Sequence, residues 1–426
     1  MFIVAGPIRP SGGIAVTPPG AFSRYVDGAP GGYRRGTTME GDKLETLRQE
    51  LDEIDGELVD LLSRRGKAVE RVAALKSRTN APLRDVLRES RQVARLAERA
   101  RALGLDELFV VRIFRELVDF SVRTQEARIG MTARGADSQR PVTVVFQGSE
   151  GAFSHIAGRR FFAPRAGPIS YRGLSTFRGI LEEVRAGAAD YAMLPIENTT
   201  SGSVHDAYDA LSHTDLAIVG EEVLRIELCL VGVADVSLDQ LRKIYSHPQA
   251  LSQCTAFLAS LPHCTIESFT DTAMSVERVK AENDPTQASI ASAEAADLHG
   301  LHVLRRDIAN HHENYTRFLV IAREVEPWDA RVPCKTSVMF VTPHERGALL
   351  AVLNVLAGHG LNLTKLESRP RPGRPFEYLF YVDFEGNVTD PNVQRALDEI
   401  SGLTLSLKIF GSYPARTKGE EKGLSG

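Results

Sequence analysis

Two short polar stretches, each next to an apolar strand-like run, hold residues suited to chemistry. Residues 197–204 (ENTTSGSV) follow the apolar run 191–196, and residues 314–318 (NYTRF) precede the run 319–322. In open α/β sheets, ligands bind beyond the carboxyl ends of strands and at helix N-termini. A serine of the first stretch would cap a helix beginning near Val204 and present backbone N–H groups to an anion. An ordinary strand-to-helix turn explains the same residues equally well.

Two further turns of this kind favour a functional interpretation. Residues 148–154 (GSEGAFS) follow the apolar run 142–146, and residues 246–254 (SHPQALSQC) follow the run 244–245. Each turn opens a predicted helix. Because binding sites combine a concave surface with a few convergent polar groups, four polar turns in one domain are expected to line a single cleft.

Composition argues against several classes of function. The 426 residues carry a formal net charge of −4, which gives no support for nucleic-acid binding. No apolar run approaches the roughly 18 residues of a membrane span. The four cysteines form no C-x-x-C pair, so neither a zinc site nor a disulfide framework is indicated, and a cytoplasmic location is expected. Residues 310–313 (NHHE) indicate a polar loop, since adjacent histidines point apart and no third metal ligand follows nearby.

A heptad seam near the N-terminus predicts one long helix over residues 42–77, followed by helices at 85–103 and 106–128. A helix of about 50 Å usually pairs with a partner helix, so a homodimer or higher homo-oligomer is expected. Arg65 occupies a seam position, and Lys76 projects from nearly the same side. Either Arg65 sets the register or the bundle holds an anionic ligand. The seam comprises Leu44, Leu47, Leu51, Ile54, Leu58, Leu61, Ala68, Val72 and Leu75.

Strands and helices alternate through residues 140–325, which predicts a mostly parallel sheet covered by helices. The apolar run 216–232 is long enough to cross into a second lobe, and the run 302–323 would return to the first. The domain would then be bilobed and similar to type 2 periplasmic binding proteins. A small-molecule-binding module without chemistry is therefore the alternative to an enzyme.

The C-terminal part has the element order strand, helix, strand, strand, helix, strand, which is the ferredoxin-like split arrangement. The predicted fold class is therefore multidomain, with an all-α bundle, a bilobed α/β domain and a ferredoxin-like α+β domain. The expected boundaries are 1–38 for a disordered extension, 39–130 for the bundle, 140–325 for the α/β domain, 334–412 for the α+β domain and 413–426 for a disordered tail.

Taken in order, these segments closely resemble the bifunctional chorismate mutase/prephenate dehydratase family. LSRR at 62–65, PLRD at 82–85 and DFSVRTQ at 119–125 resemble the all-helical chorismate mutase pattern, and the four polar turns resemble prephenate dehydratase. GALL at 347–350 and ESRP at 367–370 resemble a phenylalanine-sensing ACT regulatory domain. The resemblance implies that chorismate becomes prephenate and prephenate becomes phenylpyruvate. It also implies phenylalanine as an inhibiting effector, and neither a metal nor an organic cofactor.

Two other functions are alternatives to a bifunctional mutase and dehydratase. One is a chorismate mutase fused to a small-molecule-binding regulatory module that lacks dehydratase chemistry. The other is an NAD-dependent prephenate dehydrogenase, which would need a G-x-G-x-x-G turn after a strand. Gly358 and Gly360 follow a predicted helix and lack the third glycine, so the dehydrogenase is set aside.

For the mutase, the resemblance implies a site that orients chorismate and stabilises charge on the breaking ether oxygen. Arg48, contributed by the partner subunit, and Arg65 would bind one carboxylate. Arg88 would hold the other end of the substrate, and Lys76 and Gln125 would donate to the ether oxygen. Glu89 and Asp85 would contact the ring hydroxyl, with Ser121 near the ring carboxylate.

For the dehydratase, the resemblance implies that Thr316 is catalytic and that Arg317 anchors a substrate carboxylate. A positioned donor would help the ring hydroxyl leave as water, with aromatisation as the driving force. The same cleft would be lined by Glu197, Asn198, Ser246, Gln249 and Gln253. The phenylalanine site would comprise Gly347, Ala348, Leu349, Leu350, Asn362, Glu367 and Ser368.

Overall fold

The computed structural model of the chain divides at Ser63 into two compact units. The predicted disordered extension 1–38 lies outside the described residues, as do Asp85 and residues 417–426 of the predicted tail. The residues described are 39–79, 86–134, 139–165, 167–269, 271–325, 328, 332–371, 373–374 and 377–416.

The three predicted helices of the N-terminal region are confirmed. They are α1 (Met39–Thr79), α2 (Val86–Ala102) and α3 (Glu107–Arg134). The seam of α1 is exposed to solvent within the single chain, since Leu51 is 60% exposed and Leu58 is 52% exposed. A row of exposed leucines at heptad spacing is typical of a helix that packs against another helix.

The α/β domain has two lobes, each built on its own sheet. The first lobe begins with β1 (Val142–Gln147), α4 (Phe153–Phe162), β2 (Ile169–Leu174), α5 (Phe177–Arg185), β3 (Tyr191–Asn198), β4 (Gly202–Ser203), α6 (His205–Ser212) and β5 (Ala217–Arg225). The second lobe contains β6 (Cys229–Gly232), β7 (Lys243–Ser246), α7 (Pro248–Gln253), α8 (Thr255–Ala259), β8 (Thr265–Ser268), α9 (Thr272–Glu282), β9 (Gln287–Ala291), α10 (Ala293–His299) and β10 (His302–Arg305). The chain then returns to the first lobe as β11 (Tyr315–Ala322).

The sheet of the first lobe has the order β2-β1-β3-β11-β5, with β4 paired to β3. The sheet of the second lobe has the order β10-β6-β9-β7-β8. The predicted crossing between lobes is confirmed, because the apolar run 216–232 divides into β5 of one sheet and β6 of the other. The prediction of a mostly parallel sheet is wrong. Both sheets are mixed, since the strands that leave and re-enter a lobe run antiparallel to their neighbours.

The C-terminal domain has the predicted βαββαβ order. Its elements are β12 (Cys334–Val341), α11 (Ala348–Gly358), β13 (Leu363–Pro370), β14 (Tyr378–Glu385), α12 (Pro391–Leu403) and β15 (Ser406–Pro414). The strand order β13-β14-β12-β15 with antiparallel pairing is that of a ferredoxin-like sheet. The predicted tail begins too early, because β15 continues to Pro414 and the side chain of Tyr413 is fully buried.

The two faces of the first-lobe sheet are covered by different parts of the chain. On one face, Phe146 and Phe318 belong to a core that includes Ala157 and Phe162 of α4 and extends into the second lobe. On the other face, Leu194 and Leu319 pack with Tyr381, Phe410 and Tyr413 of the C-terminal domain. The first lobe and the C-terminal domain therefore share one hydrophobic core.

Candidate active sites

The polar turns after β3 and before β11 meet at one point that also contacts the second lobe. Thr316 pairs in register with Asn198 across the two antiparallel strands. The Asn198 side chain is buried, and its Nδ2 donates to Thr316 Oγ1 at 2.9 Å and to Asn314 Oδ1 at 2.7 Å. Because the threonine oxygen accepts this hydrogen bond, its own hydrogen stays available to donate to a ligand.

The second lobe contributes Gln253, the last residue of α7, to the same cluster. Its Nε2 donates to Thr200 Oγ1 and Ser201 Oγ, both at 2.9 Å, and its Oε1 accepts from Asn314 Nδ2 at 3.0 Å. The network therefore joins both lobes across the cleft. It consists of neutral hydroxyl and amide groups, which suit the orientation of a polar substrate and the transfer of a proton through hydrogen bonds.

The turn between β1 and α4 is held by His155, which is buried between two aromatic rings. The ring of His155 stacks on Phe146 at a centroid distance of 5.0 Å and meets Tyr171 edge-on at 5.2 Å. Its Nδ1 accepts from the Gly151 N–H at 3.0 Å. Burial lowers the pKa of His155, while Glu150 opposes that shift and Arg159 adds to it. The imidazole is thus held in its neutral form.

A second cluster of predicted site residues lies where the end of α1 packs near α3. Arg65 Nη1 donates to Ser121 Oγ at 2.6 Å and to Leu117 O at 2.9 Å. Ser121 and Gln125 are both buried, and burial lowers the pKa of Arg65. The oxygen of the Gln125 side chain is buried without a hydrogen-bond partner among the described residues. The structure thus brings Arg65 and Ser121 into direct contact, with the buried Gln125 one turn further along α3.

Other residues predicted for this helical site lie elsewhere on α1 and on α2. Lys76 is half-buried on α1, Arg88 is exposed and Glu89 is half-buried on α2. Arg48 belongs to the first compact unit, where its side chain is 64% exposed and lies 3.5 Å from Glu45.

Comparison with known proteins identifies the chain. Residues 47–126 match the family model of chorismate mutase type II, and residues 144–326 match that of prephenate dehydratase. A bifunctional chorismate mutase/prephenate dehydratase from Enterobacter agglomerans is 38% identical over 87% of this chain and 96% of its own length. The chain belongs to the bifunctional chorismate mutase/prephenate dehydratase family. It is an enzyme of phenylalanine biosynthesis that carries out both reactions.

Two solved structures each resemble about two thirds of the chain. One is a prephenate dehydratase from Arthrobacter aurescens in complex with L-Phe, which is 31% identical with a TM-score of 0.58 and covers 64% of this chain and 90% of that one. The other is described as a novel type of quorum quenching acylase. It is 34% identical with a TM-score of 0.57 and covers 64% of this chain and 98% of that one.

Several predicted dehydratase residues lie outside the Thr316 cluster. Ser246 is fully buried and donates to the carbonyl of Ile290 at 2.6 Å, so it supports the second-lobe sheet. Gln249 is exposed. The serines expected to cap α6 do not do so, because Val204 is its N-cap without a side-chain bond. Ser201 instead accepts from Gln253, and Ser203 donates to Glu367 at 2.6 Å.

Glu197 and Arg317 lie on the opposite face of the sheet from the Thr316 cluster, apart from the other residues predicted to bind substrate. Glu197 Oε1 pairs with Lys365 Nζ at 2.9 Å, and Arg317 Nη1 pairs with Asp383 Oδ2 at 2.6 Å. Both partners belong to the C-terminal domain. Side chains alternate between the two faces of a strand, so the neighbours of Asn198 and Thr316 point to the opposite side of the sheet.

The C-terminal domain contains a cavity of about 250 Å³ that opens at the predicted effector motif. Gly347 has φ +78° at the N-cap of α11, a backbone conformation that glycine adopts without strain. Asn362, Glu367 and Ser368 do not line this cavity in the single chain. Its walls are Thr342, Pro343, His344, Glu345, Gly347, Ala348, Leu349, Leu350, Glu377, Tyr378 and Phe380.

Asn314 begins one of the two polar stretches singled out in the sequence, but the sequence analysis assigned it no role of its own. It is 1% exposed and contacts both Asn198 and Gln253. Its position two residues before Thr316 was a usable signal, since alternate residues of an extended segment share a face. Among the described residues, no group of three His, Cys, Asp or Glu side chains is arranged to hold a metal ion, and no helix is long and apolar enough to span a membrane.

Proposed function

We propose that prephenate is dehydrated and decarboxylated at the Asn198–Thr316–Gln253 cluster. The hydrogen bond from Asn198 Nδ2 to Thr316 Oγ1 carries this proposal, because the threonine oxygen accepts it and the threonine hydrogen stays available to donate to a ligand. As the C–C bond to the ring carboxylate breaks, its electron pair enters the ring and carbon dioxide leaves. The ring hydroxyl departs as water with a proton supplied through the threonine and its network, leaving phenylpyruvate.

The mutase reaction is assigned to the helical region around Arg65, Ser121 and Gln125. The rearrangement of chorismate needs orientation and stabilisation of negative charge rather than an acid or a nucleophile. The exposed seam of α1 supports a homodimer in which a second copy covers these leucines. Such pairing would let Arg48 of one subunit reach the site of the other.

Phenylalanine is assigned to the cavity of the C-terminal domain, which we regard as an ACT regulatory domain. The cavity is lined by the GALL motif at 347–350 together with Tyr378 and Phe380. The complex of the related Arthrobacter aurescens dehydratase with L-Phe supports phenylalanine as a ligand of this chain. Asn362, Glu367 and Ser368 remain candidates for contacts made by a second subunit.

One assay tests whether the chain catalyses both reactions and whether phenylalanine inhibits the second. Pure protein is incubated with chorismate, and prephenate and phenylpyruvate are followed separately with and without phenylalanine. We expect both products in sequence, with phenylpyruvate formation inhibited by phenylalanine. Prephenate that accumulates without phenylpyruvate would leave only the mutase and favour a binding module without dehydratase chemistry.

A further inference from the structure

Each residue of the Asn198–Thr316 pair has a strand neighbour that faces the C-terminal domain. Arg317 is the register partner of Glu197, next to the Thr316–Asn198 pair on the same two strands. Adjacent side chains on a strand point to opposite faces. The cleft and the C-terminal domain are thus separated only by the thickness of β3 and β11.

Arg317 is held by three partners on the far face. Its Nε donates to Glu221 Oε2 at 2.6 Å, its Nη1 to Asp383 Oδ2 at 2.6 Å and its Nη2 to Tyr413 Oη at 2.9 Å. Glu221 is fully buried and also accepts from Lys335 Nζ at 3.0 Å. Burial opposes the charge on Arg317, yet Asp383, Tyr413 and Glu221 raise the pKa of its guanidinium well above the ordinary value.

Glu197 is held in a similar way by β13. Lys365 Nζ lies 2.9 Å from Glu197 Oε1 and donates to Ser203 Oγ at 3.2 Å. Ser203 in turn donates to Glu367 Oε2 at 2.6 Å. The C-terminal domain therefore contacts both β3 and β11, at the residues next to Asn198 and Thr316.

The same strand that holds Arg317 also lines the effector cavity. Tyr378 and Phe380 of β14 form part of the cavity wall, and Asp383 follows Phe380 by three residues. Three residues of extended strand span about 10 Å. A ligand that displaces β14 would therefore displace the carboxylate that holds Arg317.

We propose that Arg317 and Glu197 are positioning residues through which the C-terminal domain aligns Thr316 with Asn198, and that phenylalanine acts on dehydration through the Arg317–Asp383 and Glu197–Lys365 pairs. The inference rests on the proposed dehydratase and phenylalanine sites. In this inference Arg317 acts by positioning Thr316, and not by binding a substrate carboxylate as the sequence analysis expected. A shift of about 0.5 Å is enough to degrade a catalytic geometry, and one peptide unit links each positioning residue to its catalytic neighbour.

The chain offers a matched control for this test. Arg369 Nη2 of β13 pairs with Asp209 Oδ2 at 2.8 Å, so it also joins the C-terminal domain to the first lobe. Asp209 lies on helix α6, however, and not on a strand with Asn198 or Thr316. Breaking this pair removes an ion pair between the same two domains without touching β3 or β11.

The experiment compares Asp383→Asn, Lys365→Met and the control Asp209→Asn in the full-length chain. Calorimetry measures phenylalanine binding, and steady-state assays measure prephenate dehydration over a range of phenylalanine concentrations. We expect all three variants to bind phenylalanine. Inhibition is expected to weaken by about tenfold in Asp383→Asn and Lys365→Met, and to remain at the wild-type level in Asp209→Asn. If Asp383→Asn does not fold, Lys365→Met decides the outcome.

A fourth variant separates positioning from substrate binding. Arg317→Lys keeps the charge but loses the forked contacts, so positioning predicts a lower kcat, a nearly unchanged KM and weaker inhibition. A raised KM with unchanged kcat would show that Arg317 anchors substrate and would overturn the inference. Wild-type inhibition in both Asp383→Asn and Lys365→Met would also overturn it. Wild-type protein that fails to bind phenylalanine would instead refute the proposed effector site.

Discussion

One hydrogen bond determines what Thr316 can contribute to dehydration. A threonine hydroxyl is a poor acid in water, so it can assist a leaving group only when its hydrogen is directed at that group. The buried Asn198 amide occupies the threonine oxygen as a donor and is itself fixed by contacts to Asn314 and to the Thr200 and Ser201 N–H groups. The hydroxyl therefore accepts from Asn198, and its own hydrogen stays available to a bound substrate.

Replacement of Thr316 tests this role directly. Thr316→Ala is expected to lower the dehydration rate by about 10²- to 10⁴-fold, the range for loss of a positioned proton donor. Thr316→Ser should keep a substantial part of the rate because the hydroxyl remains. Rates of phenylpyruvate formation from added prephenate provide the measurement, and the mutase rate of the same preparations is the control. Equal losses in the alanine and serine variants would contradict a role for the hydroxyl.

Lys76 provides the corresponding test for the mutase. In the proposed mechanism its ammonium donates to the ether oxygen, which gains negative charge as the bond breaks. Loss of one such donor costs about 2.7–4 kcal/mol in the transition state. Lys76→Ala should therefore lower chorismate turnover by about 10²- to 10³-fold and leave the dehydration of added prephenate at the wild-type rate. Full mutase activity would remove Lys76 from the site.

At the scale of single elements, the turn before α4 depends on a neutral histidine. Protonation of His155 Nδ1 would abolish the hydrogen bond that it accepts from the Gly151 N–H. The folded pKa lies below the ordinary value of 6.5, mainly because of burial. The stability that the protein gains from neutral His155 is therefore fully present above about pH 6.5. It is lost as the pH falls from that value toward the folded pKa of His155.

We expect thermal unfolding to report this loss. The unfolding midpoint of wild-type protein should fall more steeply between about pH 7 and pH 5.5 than that of His155→Gln, whose side chain does not titrate. His247 contributes in the same direction, because burial lowers its pKa too, and it is present in both proteins. Identical pH profiles for the two proteins would show that the His155 proton does not control the turn.

The exposed leucine seam of α1 predicts that two copies of the chain associate through this helix. A glutamate at Leu51 would place a charge among the seam leucines, each of which contributes about 1.5–3 kcal/mol when buried. Leu51→Glu should shift the protein toward the monomer in analytical ultracentrifugation and reduce mutase activity. Gln49→Glu adds the same carboxylate on the outer face of the helix and should do neither. A dimer of unchanged stability in Leu51→Glu would show that another surface holds the subunits together.

For the molecule as a whole, the C-terminal domain is a structural part of the dehydratase. Tyr381, Phe410 and Tyr413 belong to the core that covers one face of the first-lobe sheet. An effector bound to this domain has a direct mechanical path to the sheet, because packed interfaces transmit displacement. In the described residues, the proposed effector site is therefore connected to the sheet through packed side chains.

Deletion of residues 334–426 should therefore have two effects. The unfolding midpoint is expected to fall because the shared apolar core becomes exposed, and any remaining dehydration should be insensitive to phenylalanine. Gly347→Val in the full-length protein serves as the control. It strains the effector cavity at a positive φ, so phenylalanine inhibition should weaken. It leaves the shared core intact, so the unfolding midpoint should fall less than in the deletion variant. Phenylalanine inhibition that survives the deletion would place the sensor in another part of the chain.

Local pattern in the sequence predicted the elements, and the resemblance of its motifs to a known family implied the chemistry. The heptad spacing predicted α1, the βαββαβ order predicted the C-terminal fold, and the motifs around Asn198, Gln253 and Thr316 indicated the dehydratase site. Only the tertiary structure decided which way Glu197 and Arg317 point. Alternation along a strand shows that neighbours face opposite sides, but not which side is the cleft. That choice depends on which distant domain packs on each face of the sheet, and here the C-terminal domain covers the face opposite Thr316.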